Sequence, residues 1–225
     1  MTRQTFLTRV RQMSDTLNDT TEYPDELLKD LAGMVHLDEW RKLLGEAPYY
    51  QTAARTVTLD DQRTFAWSAL TTGTGNAVQT AFRVLEIADR EGENLTYAQP
   101  DRVRLADLSR LQTTQKLWTR NGARVQTFGT TGGDTLTVLV NYVPCSLANL
   151  ASDADVVDFP DEWLPVLFYE TAALVLTKGG REIGAANDLL RMADMLRQKM
   201  LADIRRYVGQ PYILGADDGM WEWGA

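Results

Sequence analysis

Among 225 residues there is one cysteine, Cys145, and one histidine, His36. A single thiol excludes an internal disulfide and points to a reducing compartment. With one histidine, a metal site would have to be completed by Cys145 from a distant segment or by carboxylates, and no zinc-type spacing is present. The same scarcity leaves a Cys–His nucleophile without any local signature. His36 is expected at a partly covered position on a helix, and Cys145, which follows Pro144, as a small packing residue at a strand end. Positive charge is also in short supply, with 23 basic against 31 acidic residues and a net charge of -8. That balance argues against a protein held on nucleic acid by a basic surface, though not against a wall that DNA slides past. No apolar run is long enough for a bilayer, which takes roughly 18 residues or more. Met1-Thr2-Arg3-Gln4 leads into an amphipathic helix instead of a signal-peptide core, so a soluble, unexported protein without membrane contact is expected.

What is present reads as two styles of sequence. Residues 159–208 give two helices separated by Lys178-Gly179-Gly180. The first is apolar almost all round and must be covered on every side; Trp163, Leu167, Phe168 and Leu174 are its expected core residues. The second carries Ile183, Ala186, Leu190, Ala193, Met200 and Ile204 at helical spacing, and of these Leu190 and Ile204 join the predicted core. Its other face holds Asp188, Arg191, Asp194, Arg197, Lys199, Asp203, Arg205 and Arg206. At the other end, residues 3–19 form a helix with Phe6, Leu7, Val10, Met13 and Leu17 on one stripe. Tyr23-Pro24-Asp25-Glu26 then opens a second helix that stops near Gly45 and Pro48, its proline and acids placed as a first turn prefers.

Between these ends, threonine, valine, aromatics and glycine-bearing turns favour strands. Segments 55–59, 64–67, 82–87, 116–119, 124–128 and 135–143 are the predicted strands, with a hairpin across Arg120-Asn121-Gly122 and a short helix at 102–111. The expected fold is therefore α+β, a helical bundle formed by N- and C-terminal helices with an inserted antiparallel β domain. Its parts are the N-terminal helices 1–48, a β-rich domain 49–145, the C-terminal helices 146–209 and an extended tail 210–225. That tail carries Tyr212, Ile213, Leu214, Trp221 and Trp223, aromatic and aliphatic surface that calls for a partner.

The sequence carries little recognisable site chemistry. Gly129-Thr130-Thr131-Gly132-Gly133-Asp134-Thr135 lacks the Lys-Ser/Thr ending of a phosphate loop and precedes a strand, so it reads as a turn. Asp153, Asp155 and Asp158 lack the glycine and terminal glutamate of a calcium loop and more simply solvate a return loop. The mixed-charge face of the last helix is either a solvated surface or a subunit contact. No catalytic residue and no cofactor are expected.

The two ends resemble the head-to-tail adaptor (connector) proteins of tailed bacteriophages. The resemblance rests on Phe6-Leu7-Thr8-Arg9-Val10-Arg11-Gln12-Met13 with Asn18-Asp19-Thr20-Thr21 and Tyr23-Pro24-Asp25-Glu26-Leu27-Leu28. It rests equally on Phe159-Pro160-Asp161-Glu162-Trp163-Leu164-Pro165-Val166-Leu167, followed by Tyr169-Glu170-Thr171-Ala172-Ala173-Leu174-Val175-Leu176-Thr177-Lys178-Gly179-Gly180. The central region matches only in character. The resemblance implies a non-enzymatic virion protein, made in the host cytoplasm and placed in the neck. There it would form a dodecameric ring below the portal protein, extend the DNA channel without binding DNA specifically, and dock tail or nozzle proteins. The tail at Tyr212, Ile213, Leu214, Trp221 and Trp223 would bury itself against the portal or a neighbouring subunit. The alternative from another class is a monomeric ligand- or carbohydrate-binding module, with Trp67, Trp118, Tyr97 and Tyr142 as an aromatic platform.

Overall fold

The computed structural model describes residues 1–71, 79–98, 116–179 and 183–208, and the chain divides into two compact units. One takes Met1, Arg3–Ala47 and the chain from Phe159 on; the other takes Thr2 and Pro48–Asp158.

The first unit is built from α1 (Arg3–Met13), α2 (Asp25–Glu46), α3 (Leu164–Gly179) and α4 (Ile183–Val208). α1 stops well short of the predicted residue 19. Ser14 and Thr16 turn to local hydrogen bonds, and Asp15 takes the left-handed conformation at φ 51°. Arg11 then ties the end of α1 to the start of α2, donating to Tyr23 O and Asp25 Oδ1, both at 2.7 Å. Pro24 precedes α2 in an extended conformation, and Asp25 and Glu26 occupy the first turn, where the helix dipole favours acids. α3 is entered through a 3-10 turn, Asp161–Trp163, and tolerates Pro165 because a first turn has no partner for that N–H. Val166, Leu167, Ala172, Ala173 and Val175 of α3 are all fully buried. α1, α2 and α4 each pack on it, with the Phe6 and Phe168 ring centroids 4.9 Å apart.

This arrangement corrects the architecture expected from sequence. Among the described residues the protein is α+β with four α-helices and two sheets, of three and four strands, but the helices are not arranged as an N- and C-terminal bundle flanking an inserted β domain. α3 acts as an axle for the other three helices, and α1 and α2 touch each other little. The strands are not one antiparallel set either, since one pair runs parallel. The physical reason is that periodicity shows which face of an element is apolar, not which partner covers it. No helix among the described residues is long and apolar enough to cross a membrane.

The second unit holds both sheets. β7 (Thr135–Val143) is the centre of the three-stranded sheet, flanked antiparallel by β1 (Thr52–Thr58) and β3 (Thr80–Ala88). Leu136, Val138 and Val140 alternate inward and are fully buried, the period of two that made this strand legible. Two register shifts, at Ala81/Arg83 and Val84/Glu86, kink β3 against it. The other sheet has the order β2-β6-β5-β4, with β2 (Thr64–Ala66), β4 (Thr96–Tyr97), β5 (Leu117–Asn121) and β6 (Arg124–Phe128). β4 is unannounced by its sequence and pairs parallel to β5. Asn121 pairs with Arg124, so the β5–β6 turn is Gly122-Ala123, with Gly122 at φ 59°, and Arg120 and Asn121, expected in the turn, belong to β5. The two sheets share one core, including Val57, Phe65, Ile87, Trp118, Val125 and Val138. The predicted helix at 102–111 lies outside the described residues.

One contact in this unit has a measurable cost. Asp60 caps the β1–β2 connection by accepting Thr64 N at 2.7 Å and Thr64 Oγ1 at 2.7 Å, and the Thr64 hydrogen bonds hold its carboxyl below the usual range. Gly132 packs against that turn, and a Cβ there would sit 3.0 Å from Asp61 Cα and 3.1 Å from Asp60 O. Both are backbone atoms of a tied turn, so Gly132→Ala is expected to destabilise the protein by about 1–3 kcal/mol. Urea unfolding measures this, and an unchanged midpoint would contradict the close approach.

Candidate functional site

Three features of the structure have the makings of a site. The first is a groove of about 410 Å³ in the β unit, lined by Trp67, Phe82, Leu85, Tyr97, Trp118 and Arg120 among others. It brings together three of the four aromatics expected to form a platform. The fourth, Tyr142, is instead a core residue, 1% exposed, whose hydroxyl accepts from Arg55 Nε at 3.0 Å. Of the three, Trp67 donates its Nε1 to Ala81 O at 3.1 Å and carries the Arg120 guanidinium 3.7 Å above its ring. Trp118 is buried, with the Tyr97 ring tilted 4.7 Å away. Tyr97 is 50% exposed, while Trp67 is covered by Arg120 and Trp118 is buried, so of the expected platform only the Tyr97 ring stands largely in solvent.

The second feature is a pair of acidic clusters, Asp89-Glu91-Glu93 and Asp38-Glu39-Glu170, each with carboxylate oxygens within 4.8 Å of one another. In both, the protein supplies its own cation. Lys116 Nζ donates to Asp89 and, at 2.6 Å, to Glu93, and lies 3.9 Å from Glu91. The hydrogen bond from Lys116 depresses the Asp89 carboxyl, and the same bonds raise the lysine. In the helical unit Glu39 is fully buried and accepts Arg197 Nε at 3.0 Å on each oxygen and Lys42 Nζ at 2.7 Å. Arg197 also binds Asp194, and its Nη2 reaches Glu170 at 2.9 Å. Burial works against Lys42, but hydrogen bonds to Asp38 and Glu39 keep its ammonium above the ordinary value.

One guanidinium therefore fastens α2, α3 and α4 together. Sequence pattern places Arg197 on the charged outer face of α4; in the structure it turns inward instead. The signal for this node is Glu39, which stands in the stripe Val35, Glu39, Leu43 at four-residue spacing, all three buried. Four carboxylates share two cations here, and the excess falls on Glu170. Burial first, and then the charge of Glu39, push its pKa from 4.5 to about 7, while Arg197 and Lys42 pull the other way. A folded-state pKa above the unfolded one means stability that is fully present below about pH 4.5 and is lost as pH rises through about 7. Glu170→Gln should remove that slope, so the variant gains on the wild type as pH rises from about 5 to about 8. Urea midpoints at the two pH values test this; a constant difference between the proteins would refute it.

The third feature is apolar surface on the helical unit. Met34, Ile183 and Met195 are each 67% exposed, and Met192 is 41% exposed. The predicted core is only partly inside. Leu167, Phe168 and Ile204 are buried, Trp163 and Leu174 are half-buried, and Leu190 is 37% exposed. Ala186, Ala193 and Met200 are buried where Leu190 is not, and the small Ala186 packs against Ala173 and Leu176 of α3. Tyr212, Ile213, Leu214, Trp221 and Trp223 lie outside the described residues. His36 is buried with its ring 6.2 Å from Phe159, and Cys145 is a half-buried thiol raised by burial. No protein-family model matches the chain, and no curated protein matches it.

Proposed function

We propose that this protein is a head-to-tail adaptor of a tailed bacteriophage, a non-enzymatic subunit of the virion neck. Copies form a ring, dodecameric by analogy with the family it resembles, below the portal protein. The ring extends the DNA channel and gives tail or nozzle proteins a surface to dock on.

The observation that carries this reading is α4, a 26-residue helix with Ala186, Ala193, Met200 and Ile204 buried and Ile183, Met192 and Met195 left in solvent. Large apolar side chains exposed along a long helix suit a subunit that is covered on assembly. The lead-in supports the same reading: the residues that carry the resemblance, Pro160-Asp161-Glu162-Trp163, form the turn that delivers α3. A net charge of -8 suits a channel wall that does not retain DNA.

The test is the mass of the purified full chain, alone and with portal protein, by native mass spectrometry. A ring-sized species is expected; a monomer that ignores the portal would overturn the proposal. Deleting residues 211–225 is expected to leave the helical circular-dichroism signal intact and to weaken co-sedimentation with the portal. Unchanged attachment would remove the tail from that role.

A further inference from the structure

Two outward helix faces carry opposite charge around exposed methionines. On α2, Glu26, Asp30, Met34 and Asp38 recur at every fourth residue with Arg41 beside them, so acids dominate around a methionine that is 67% exposed. On α4, Asp188, Arg191, Met195, Lys199, Asp203 and Arg206 follow at three- and four-residue spacing, three bases to two acids around a second methionine of the same exposure, 67%, with Asp194 beside it turned to Arg197. Residues spaced by three and four lie on one helix face, and this face of α4 is turned away from the buried Ala186, Ala193 and Met200. Within the chain the charges are lightly engaged. Arg191 lies 3.8 Å from Asp188 and Arg206 lies 3.8 Å from Asp203, exposed pairs of little energetic weight. On α2, Glu26 pairs with Lys29 at 3.1 Å, and Lys42 is shared among Asp38, Glu39 and Glu170. Asp30 and Lys199 have no ion-pair partner among the described residues.

We propose that the acidic Met34 face of α2 in one copy docks onto the basic Met195 face of α4 in the next copy. The proposal rests on the adaptor reading and says how its ring is built. Two different faces meeting make a heterologous contact, which each copy repeats with the next and which closes into a ring when the rotation per subunit closes. Charge decides against the simpler two-fold dimers. An α2 face meeting its own kind sets acid against acid, and an α4 face meeting its own kind sets base against base. Methionine suits the centre of such a contact, since its unbranched thioether fits irregular apolar surface.

The experiment exchanges charge across the contact in the full-length chain, with self-association read by sedimentation and native mass spectrometry and folding by circular dichroism. Asp30→Lys and Lys199→Glu are each expected to weaken subunit association about tenfold or more, and the double variant to recover it. Wild-type rings together with fully associating single variants, or with a double variant no better than the worse single, would overturn the docking while leaving the adaptor reading intact. A wild type that stops at a dimer would overturn the heterologous contact. A wild type that stays monomeric even with portal protein would overturn the adaptor reading, and the docking with it.

Discussion

Leu167→Asp is expected to unfold the helical unit. Leu167 is fully buried on α3, the helix on which α1, α2 and α4 all pack, so an aspartate there has no route to water. An ionised carboxylate without a partner costs several kcal/mol to bury, and a domain's whole stability is only about 5–15 kcal/mol. The loss should appear as a collapse of the helical circular-dichroism signal at room temperature, or as a urea midpoint too low to measure. Leu174→Asp provides the scale. From sequence alone Leu174 belongs equally to the core, but it is half-buried, and its aspartate can lean toward solvent. The Leu174 variant should therefore fold with a lowered midpoint while the Leu167 variant does not. Equal behaviour of the two, or a soluble Leu167→Asp protein with wild-type melting, would show that α3 is not covered as described.

Arg197→Met is expected to cost about 3 kcal/mol, the size typical of a buried ion pair that loses one partner. The loss comes less from the vanished attraction than from what stays behind: Glu39, fully buried, with only Lys42 to answer it, and Glu170 with its nearest cation gone. For that reason the double variant Glu39→Leu/Arg197→Met should recover most of the loss, because two apolar side chains need no partner. A double-mutant cycle by urea denaturation measures the coupling. If Arg197→Met melts with the wild type, the node contributes nothing to holding α2, α3 and α4 together. If the double variant is as poor as the single one, packing and not charge explains the loss.

The two experiments separate what was visible in the chain from what was not. β7 was legible because Leu136, Val138 and Val140 alternate with polar residues, and a strand places every second side chain on one face. α2 and α4 were legible for the corresponding helical reason. β4 was not, because Thr96–Tyr97 is too short to show a period and is a strand only through its parallel pairing with β5. The aromatic residues were visible as a set, but nothing local says that Tyr142 lies inside or that Arg120 covers Trp67. Leu190 and Arg197 make the same point on α4. The apolar residue is left 37% exposed while the charged one turns inward, because Glu39 waits on a different helix, 158 positions away along the chain.

From the sequence alone came the kind of most elements, the bounds of β6 and β7, the excess of acid and the scarcity of histidine and cysteine, since each depends on neighbours along the chain or on composition. Tertiary structure alone decided that three helices gather on α3, that the strands split into two sheets, and that one guanidinium joins α2, α3 and α4. Those outcomes depend on which surfaces meet, and a one-dimensional pattern records which side of an element avoids water without recording what replaces the water there.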